Sequence, residues 1–170
     1  KQYIALDYTG SFSNSNDLYK ARTNIEYPNN PAMNSISKGL FPSTYNSDYN
    51  DVGLNYHITT DTLGSSFELL SDYTLNHGNS TNEANSSFYD ASNTFIRDTS
   101  FKNQTPSDAK IFTADAKFKK IFKNGSSFGF GSKVSLTTIH NAAYFAYVDQ
   151  DKWEDNDAQN FIYNYKENIV

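Results

Sequence analysis

A two-residue alternation of apolar and polar side chains recurs along the chain, while helical periodicity is scarce, and this pattern indicates β-strands. Residues 52–59 alternate between an apolar and a polar set, namely Val52, Leu54, Tyr56 and Ile58 against Gly53, Asn55, His57 and Thr59. A short turn at residues 60–64 leads into residues 67–75, which alternate again. Two alternating stretches joined by a short turn predict an antiparallel β-hairpin.

The same pattern predicts a second hairpin in residues 112–136. Its turn lies at residues 123–126, where the pair Asn124-Gly125 is a strong hairpin signal. Residues 4–12 and 161–169 also alternate, so we expect six strands in an all-β, antiparallel up-and-down meander. We expect one apolar strand face, either facing a membrane or buried, made of Val52, Leu54, Tyr56, Ile58, Phe67, Leu69, Tyr73, Leu75, Phe112, Phe118, Phe128, Phe130, Val134, Leu136, Phe161 and Tyr163.

The predicted connections differ in length between the two ends of the strands. Those at residues 60–64 and 123–126 are tight turns. Those at the other end are long, covering about residues 13–50, 77–108 and 148–157, with room for further strand within residues 18–27 and 87–101. Short turns at one end and long loops at the other are typical of an outer-membrane barrel.

Composition excludes several classes of protein. The chain is 16% aromatic with a net charge of only -5, whereas disordered chains have few aromatics and a high net charge. A pI near 5.0 argues against a nucleic-acid partner, because binding phosphates requires a basic surface. The lysines at positions 117, 119, 120 and 123 indicate the charged face of one strand that ends in a turn. The chain has no cysteine and therefore no disulfide or thiolate chemistry.

The residues that could carry chemistry do not form a known site. His57, His77 and His140 are too far apart in sequence for a metal motif. The acidic run at residues 149–157 has Trp and Glu where a calcium loop of the EF-hand type needs Asp or Asn and Gly, so we expect a solvated loop there. We therefore predict no catalytic residue, no metal, no cofactor and no enzymatic activity.

From about residue 50 onward the chain resembles part of the barrel of a TonB-dependent-receptor-like outer-membrane protein of the Bacteroidetes type. The resemblance depends on the order and spacing of several segments: Val52-Gly53-Leu54-Asn55-Tyr56, Asp61-Thr62-Leu63-Gly64, Phe112-Thr113-Ala114-Asp115-Ala116-Lys117-Phe118, Trp153, and Asn160-Phe161-Ile162-Tyr163-Asn164-Tyr165-Lys166-Glu167-Asn168-Ile169. A complete receptor of this kind has a plug domain and roughly 22 strands. The resemblance thus implies that the chain is a fragment, a single barrel segment of residues 1–170.

In that segment residues 1–50 would be a first strand with a long outer loop, and residues 51–170 two hairpins and a final strand. The resemblance implies a non-enzymatic part of a receptor or transporter in the Gram-negative outer membrane. Its strands would form the barrel wall, and its long loops would contact ligand. The partners implied are outer-membrane lipid, the remaining barrel strands and the plug domain.

A second function stays open, a soluble secreted β-sandwich that binds carbohydrate through exposed aromatic side chains. Outside a membrane, the apolar strand face should also be hidden from water. We expect the isolated chain either to curl into a sandwich-like or half-barrel sheet or to pair with a second copy as a homo-oligomer.

Overall fold

The fold is a meander of long β-strands, and the computed structural model describes all residues from Lys1 to Val170. The only helical element is a single 3-10 turn, Pro31–Met33. No helix of the chain has the length and apolar character needed to cross a membrane. The strands are β1 (Gln2–Ile25), β2 (Ser35–Thr59), β3 (Ser66–Asp90), β4 (Phe95–Ile121), β5 (Ser127–Asp149), β6 (Lys152–Asp155) and β7 (Phe161–Ile169).

All seven strands belong to one sheet, in the order β1-β2-β3-β4-β5-β6, and β7 also pairs with β5. Every pairing is antiparallel. The predicted all-β antiparallel meander is therefore confirmed. Six strands were expected, and the additional one, β6, pairs with the stretch of β5 that follows the part paired with β7. Residues 156–160 separate these two strands, and Asn160 Oδ1 accepts a 2.6 Å hydrogen bond from the Phe145 amide across this interruption.

The expected long loops are wrong, because most of their residues lie in strands. β1 continues to Ile25 and β2 begins at Ser35, so only residues 26–34 connect them. Residues 91–94 connect β3 to β4, and residues 150–151 connect β5 to β6. The acidic run, expected as a solvated loop, forms the turn and arms of the β5–β6 hairpin, with positive φ at Gln150 (48°) and Asp151 (63°). Positive φ at both central residues suits a two-residue hairpin turn.

The extended strands are built from polar residues that alternate weakly, which is why the sequence pattern missed them. Asn, Ser and Thr on both sides of a strand show no apolar periodicity. Pairing nevertheless satisfies their backbone N–H and C=O groups, as in the unbroken ladder from Ser13↔Ser47 to Ile25↔Ser35. We call the end of the sheet with the turns at residues 60–65 and 122–126 the lower end. The end with residues 26–34, 91–94 and 150–151 is the upper end.

The turn between β2 and β3 is organised by Asp61. Its Oδ1 accepts hydrogen bonds of 3.0 Å from the amides of Leu63 and Ser65, and its Oδ2 accepts one of 2.7 Å from Lys120 Nζ. Gly64 adopts φ +93°, a conformation that glycine reaches without steric cost. The Lys120 hydrogen bond, followed by those from Ser65, lowers the pKa of the Asp61 carboxyl well below its usual range.

The sheet is open and has a single layer, so it has almost no buried core. The buried apolar residues are Ala142, Ala143 and Ala146, all on β5. Large apolar side chains stay exposed, among them Leu6 at 75% and Phe130 at 63%. The soluble β-sandwich, and the expected curling into a sandwich-like sheet, are therefore wrong, because no second sheet packs on the first.

Candidate functional site

The two faces of the sheet follow from the strand register, because residues directly opposite one another on paired strands project to the same side. One cross-strand row contains Tyr8, Val52, Tyr73, Phe112 and Leu136. We call the side that this row occupies the Val52 face. The neighbouring row, with Asp51, Thr74, Ile111 and Thr137, lies on the other side, the Asp51 face.

Fourteen of the sixteen residues expected on one apolar face lie on the Val52 face. Their rows are continuous across the sheet, for example Ile58, Phe67, Phe118 and Phe130 near the lower end. The Phe118 and Phe130 rings are in contact, with centroids 5.5 Å apart. The fourteen residues are Val52, Leu54, Tyr56, Ile58, Phe67, Leu69, Tyr73, Leu75, Phe112, Phe118, Phe128, Phe130, Val134 and Leu136.

Phe161 and Tyr163 were assigned to the wrong face. They lie opposite Ala143 and Asn141 on β5, which places them on the Asp51 face. Both sides of β7 carry apolar residues, so alternation alone does not tell which side joins which face. The pairing with β5 decides this, and Ile162, opposite Ala142, takes the place on the Val52 face.

From β2 to β7 the Val52 face changes from apolar to polar within two rows toward the upper end. The row beyond Val52 contains Asn50, Leu75, Lys110, Thr138 and Lys166. The next row on this face contains Asp48, His77, Asp108, His140 and Asn164. The apolar stretch on β3, residues 67–75, is thus nine residues long, and a strand that crosses a membrane needs about 9–11 residues.

This polar row brings together two histidines that are distant in sequence. His77 Nδ1 lies 2.6 Å from Asp108 Oδ1, and His140 Nδ1 lies 2.5 Å from Asn164 Oδ1. The spacing of the histidines along the chain gave no sign of this neighbourhood. No group of three or more His, Asp or Glu side chains has the arrangement of a metal site anywhere in the chain.

At the lower end the Asp51 face is polar and hydrogen-bonded. Thr74 Oγ1 donates to Asp51 Oδ1 at 2.5 Å, and Thr113 Oγ1 donates to Asp72 Oδ2 at 3.3 Å. His57 Nδ1 lies 3.2 Å from Glu68 Oε1. Lys117 and Lys119 project to this side, whereas Lys120 lies on the Val52 face and binds Asp61. Side chains of this kind suit contact with water.

At the upper end the Asp51 face holds an open groove between aromatic side chains. The first part of the groove is a cavity of about 560 Å³. Its lining includes small residues, among them Gly78, Ser80 and Ser107, and the aromatic residues Tyr45, Phe161 and Tyr163. Ser107 Oγ donates a 2.7 Å hydrogen bond to Asn141 Oδ1. No Asp, Glu, Lys, Arg or His side chain lines this cavity.

A second cavity of about 540 Å³ continues the groove toward the upper end, and it is lined by Phe101, Phe145 and Tyr147. Asn103 also lines this cavity, and its buried Oδ1 atom has no hydrogen-bond partner. Buried polar atoms are normally hydrogen-bonded, so an unpaired carbonyl oxygen in a cavity marks a place where a ligand can donate a hydrogen bond.

We call these two cavities together the aromatic groove, defined by Tyr45, Phe101, Phe145, Tyr147, Phe161 and Tyr163. The groove was not predicted from the sequence, because Tyr45 and Phe101 were expected in loops and Phe161 and Tyr163 on the other face. Alternate aromatics at positions 145 and 147 were the available signal, but their neighbours on β4 were not assigned to a strand.

Comparison with known proteins agrees with this geometry. The chain matches no curated protein. The family model described as "Outer membrane protein beta-barrel family" matches residues 58–170, which is more than half of the chain. The open antiparallel meander with one apolar face is consistent with such a protein. The chain therefore belongs to the outer membrane protein β-barrel family and is located in the outer membrane.

Proposed function

We propose that the chain forms part of the wall of a receptor or transporter barrel, with lipid on the Val52 face and the lumen on the Asp51 face. The observation that carries this proposal is the nine-residue apolar stretch on β3, which ends at the row with Lys110 and Lys166 while the opposite face stays polar. The order and spacing of the segments after residue 50 support a TonB-dependent-receptor-like barrel of the Bacteroidetes type.

In this arrangement the lower end, where the apolar stretch begins close to the turns, faces the periplasm, and the upper end, where the strands continue beyond the apolar stretch, faces outward, because the longer parts of such barrels outside the bilayer are extracellular. β2 and β3 have 25 residues each, about 14 more than a membrane crossing requires. The strands therefore extend well beyond the bilayer. Paired strands, rather than the loops expected from the sequence, carry the ligand-contacting surface.

The aromatic groove is the proposed ligand contact. The cavity at its lower part has no charged lining, and Asn103 Oδ1 is an acceptor without a donor. The ligand would therefore be neutral, with at least one N–H or O–H group and an apolar surface that packs on Phe145 and Tyr147. The uncharged lining of the lower cavity supports binding without acid–base catalysis, so we propose a non-enzymatic role. Glu83 and Lys102 border the upper cavity but form a row of the Val52 face.

The proposed partners follow from the edges of the sheet. β1 is paired on one side only, and so is β7. Unpaired strand edges favour the addition of further strands. We propose that the remaining strands of a barrel pair there and that a plug domain fills the lumen, while the chain by itself associates with a second copy. Light scattering at increasing protein concentration in detergent tests the last point, and a monomer at every concentration would contradict it.

Lipid exposure can be tested with single-cysteine variants, since the chain has no native cysteine. A nitroxide label at Leu54→Cys should be relaxed by oxygen in lipid vesicles, whereas a label at Asn55→Cys should be relaxed by a water-soluble nickel chelate. Asn79→Cys is the matched control, because Asn79 lies on the Val52 face but above the apolar stretch, between Asn46 and Pro106. The label at position 79 should be relaxed by the water-soluble nickel chelate. Equal accessibilities at positions 54 and 55 would overturn the proposal.

A further inference from the structure

A third cavity lies on the Val52 face at the upper end, outside the proposed lumen. Its volume is about 770 Å³. It spans two rows of that face, Lys20–Leu40–Asn85–Ser100 and Arg22–Lys38–Ser87–Asp98. The cavity thus combines three cationic side chains with the hydroxyl and amide groups of Ser87, Ser100 and Asn85. We call it the basic cavity.

The basic cavity has three cationic side chains against one carboxylate, Asp98, and its cations form no ion pair within the protein. Arg22 lies directly opposite Lys38, and like charges in directly opposite positions of a sheet destabilise it. None of the four ion pairs in the structure includes Lys20, Arg22 or Lys38. The chain as a whole has a net charge of -5, so this concentration of positive charge runs against its overall balance. A bound anion would relieve the repulsion between Arg22 and Lys38.

Lys38 is held in position by neutral partners. Its Nζ lies 4.1 Å from the centre of the Tyr89 ring and 3.4 Å from Asn93 Oδ1. Both contacts orient the ammonium group without cancelling its charge. Arg22 supplies a planar guanidinium, which can donate two parallel hydrogen bonds to one phosphate. Together these groups suit a dianion better than a single carboxylate.

We infer that the basic cavity binds a phosphate group carried on a hydroxylated molecule. Arg22, Lys38 and Lys20 contact the phosphate, while Ser87, Ser100 and Asn85 hydrogen-bond the hydroxyl groups. Asp98, at the far side of the row, accepts a hydrogen bond from a hydroxyl group.

The phosphate-bearing molecule comes from the aqueous medium outside the membrane, not from a lipid of the membrane that contains the protein. This part of the inference rests on the proposed function. Arg22 follows Tyr8, the β1 residue of the Val52 row, by 14 residues, with the isolated apolar residues Phe12 and Leu18 between them on the same face. The separation from Tyr8 corresponds to about 46 Å along the strand, which for a barrel strand tilted by about 45° is about 33 Å along the membrane normal. Lipid headgroups occupy only the first few ångströms beyond the hydrocarbon, so a headgroup of the same membrane does not reach the cavity.

The test is calorimetric titration of the chain in a neutral polyoxyethylene detergent with glucose 6-phosphate, glucose and inorganic phosphate. Glucose 6-phosphate should bind, more weakly as salt is added. Inorganic phosphate should bind less tightly, and glucose should not bind measurably. Arg22→Gln and Lys38→Gln should each weaken glucose 6-phosphate binding about tenfold or more. Lys110→Gln, an exposed lysine of the same face outside the cavity, is the control and should leave binding unchanged.

Thermal unfolding separates binding from folding. Since Arg22 and Lys38 repel each other, neither Arg22→Gln nor Lys38→Gln should lower the midpoint temperature of thermal unfolding of the ligand-free chain. No binding of glucose 6-phosphate, or equal weakening by Lys110→Gln, would overturn the inference. Binding of anionic phosphatidylglycerol vesicles that Arg22→Gln abolishes would show a lipid headgroup as the occupant and refute the outside source. Because the titration needs no bilayer, its outcome is independent of the lipid-exposure test.

Discussion

Lys120 on β4 donates a 2.7 Å hydrogen bond to Asp61 in the turn between β2 and β3. This bond connects the turn to β4, the strand that follows the β2–β3 hairpin. Ser65, in the same turn, is fully buried, and its Oγ accepts a 2.9 Å hydrogen bond from the Ile121 amide. The lower end of the sheet is therefore held together across β2, β3 and β4 by one turn.

The first prediction concerns the pH dependence of this turn. The folded-state pKa of Asp61 is lowered, chiefly by Lys120. Its contribution to stability is therefore complete above the ordinary carboxyl pKa of 3.8 and is lost as the pH falls toward the folded pKa. The midpoint temperatures of thermal unfolding of the wild type and of Asp61→Asn should differ at pH 6, and the difference should become smaller toward pH 2. Asp155→Asn, at an exposed residue outside the four ion pairs, is the control and should parallel the wild type at every pH.

The second prediction uses two adjacent leucines on opposite faces of β3. Leu69 lies on the Val52 face, whereas Leu70 lies on the Asp51 face opposite Asp115. In lipid vesicles Leu69→Arg should lower the free energy of unfolding by about 2–4 kcal/mol, because an arginine would enter the bilayer. Leu70→Arg should cost less than about 1 kcal/mol, since it meets water and an acidic neighbour. Guanidinium unfolding measures both values, and equal losses would contradict the assignment of faces.

The third prediction concerns the unpaired carbonyl of the aromatic groove. Asn103→Leu removes a buried oxygen without a partner and should raise the free energy of unfolding by about 1 kcal/mol. Asn82, directly opposite on β3, is the matched control. Its Nδ2 donates a 3.1 Å hydrogen bond to Ser80 Oγ, so Asn82→Leu should not stabilise the chain. Urea unfolding in detergent compares the two, and a loss of stability in Asn103→Leu would show that the oxygen has a partner in solution.

The fourth prediction concerns the turn between β4 and β5. Gly125 has φ +84°, and no atom lies within 4 Å of the place where a Cβ would stand. Any cost of a side chain there is conformational. Gly125→Ala should therefore lower the free energy of unfolding by about 1 kcal/mol. Gly125→Asn should cost less, because Asn tolerates the left-handed region. Equal costs for the two substitutions in urea unfolding would point to a steric cause instead.

The all-β class, both lower hairpins and most of the apolar face could be predicted from the amino-acid sequence. These features depend on local causes. Alternation with period two sets which side chains share a face, as from Val52 to Ile58, and Asn124-Gly125 supplies the positive φ of its turn. The apolar face could be predicted because a strand that packs against lipid or a core has large apolar side chains at every second position.

Features that depend on a neighbouring strand could not be predicted and became known from the strand pairing. The upper halves of β1 to β4 are rich in Asn, Ser and Thr on both faces and carry only scattered apolar residues, so backbone pairing, not side-chain periodicity, makes them strands. Register with β5 placed Phe161 and Tyr163 on the Asp51 face. Register also set Arg22 opposite Lys38 and brought His77 beside Asp108. The physical reason is that a one-residue change in register moves every side chain of a strand to the other face, and the residues of one strand do not reveal that register.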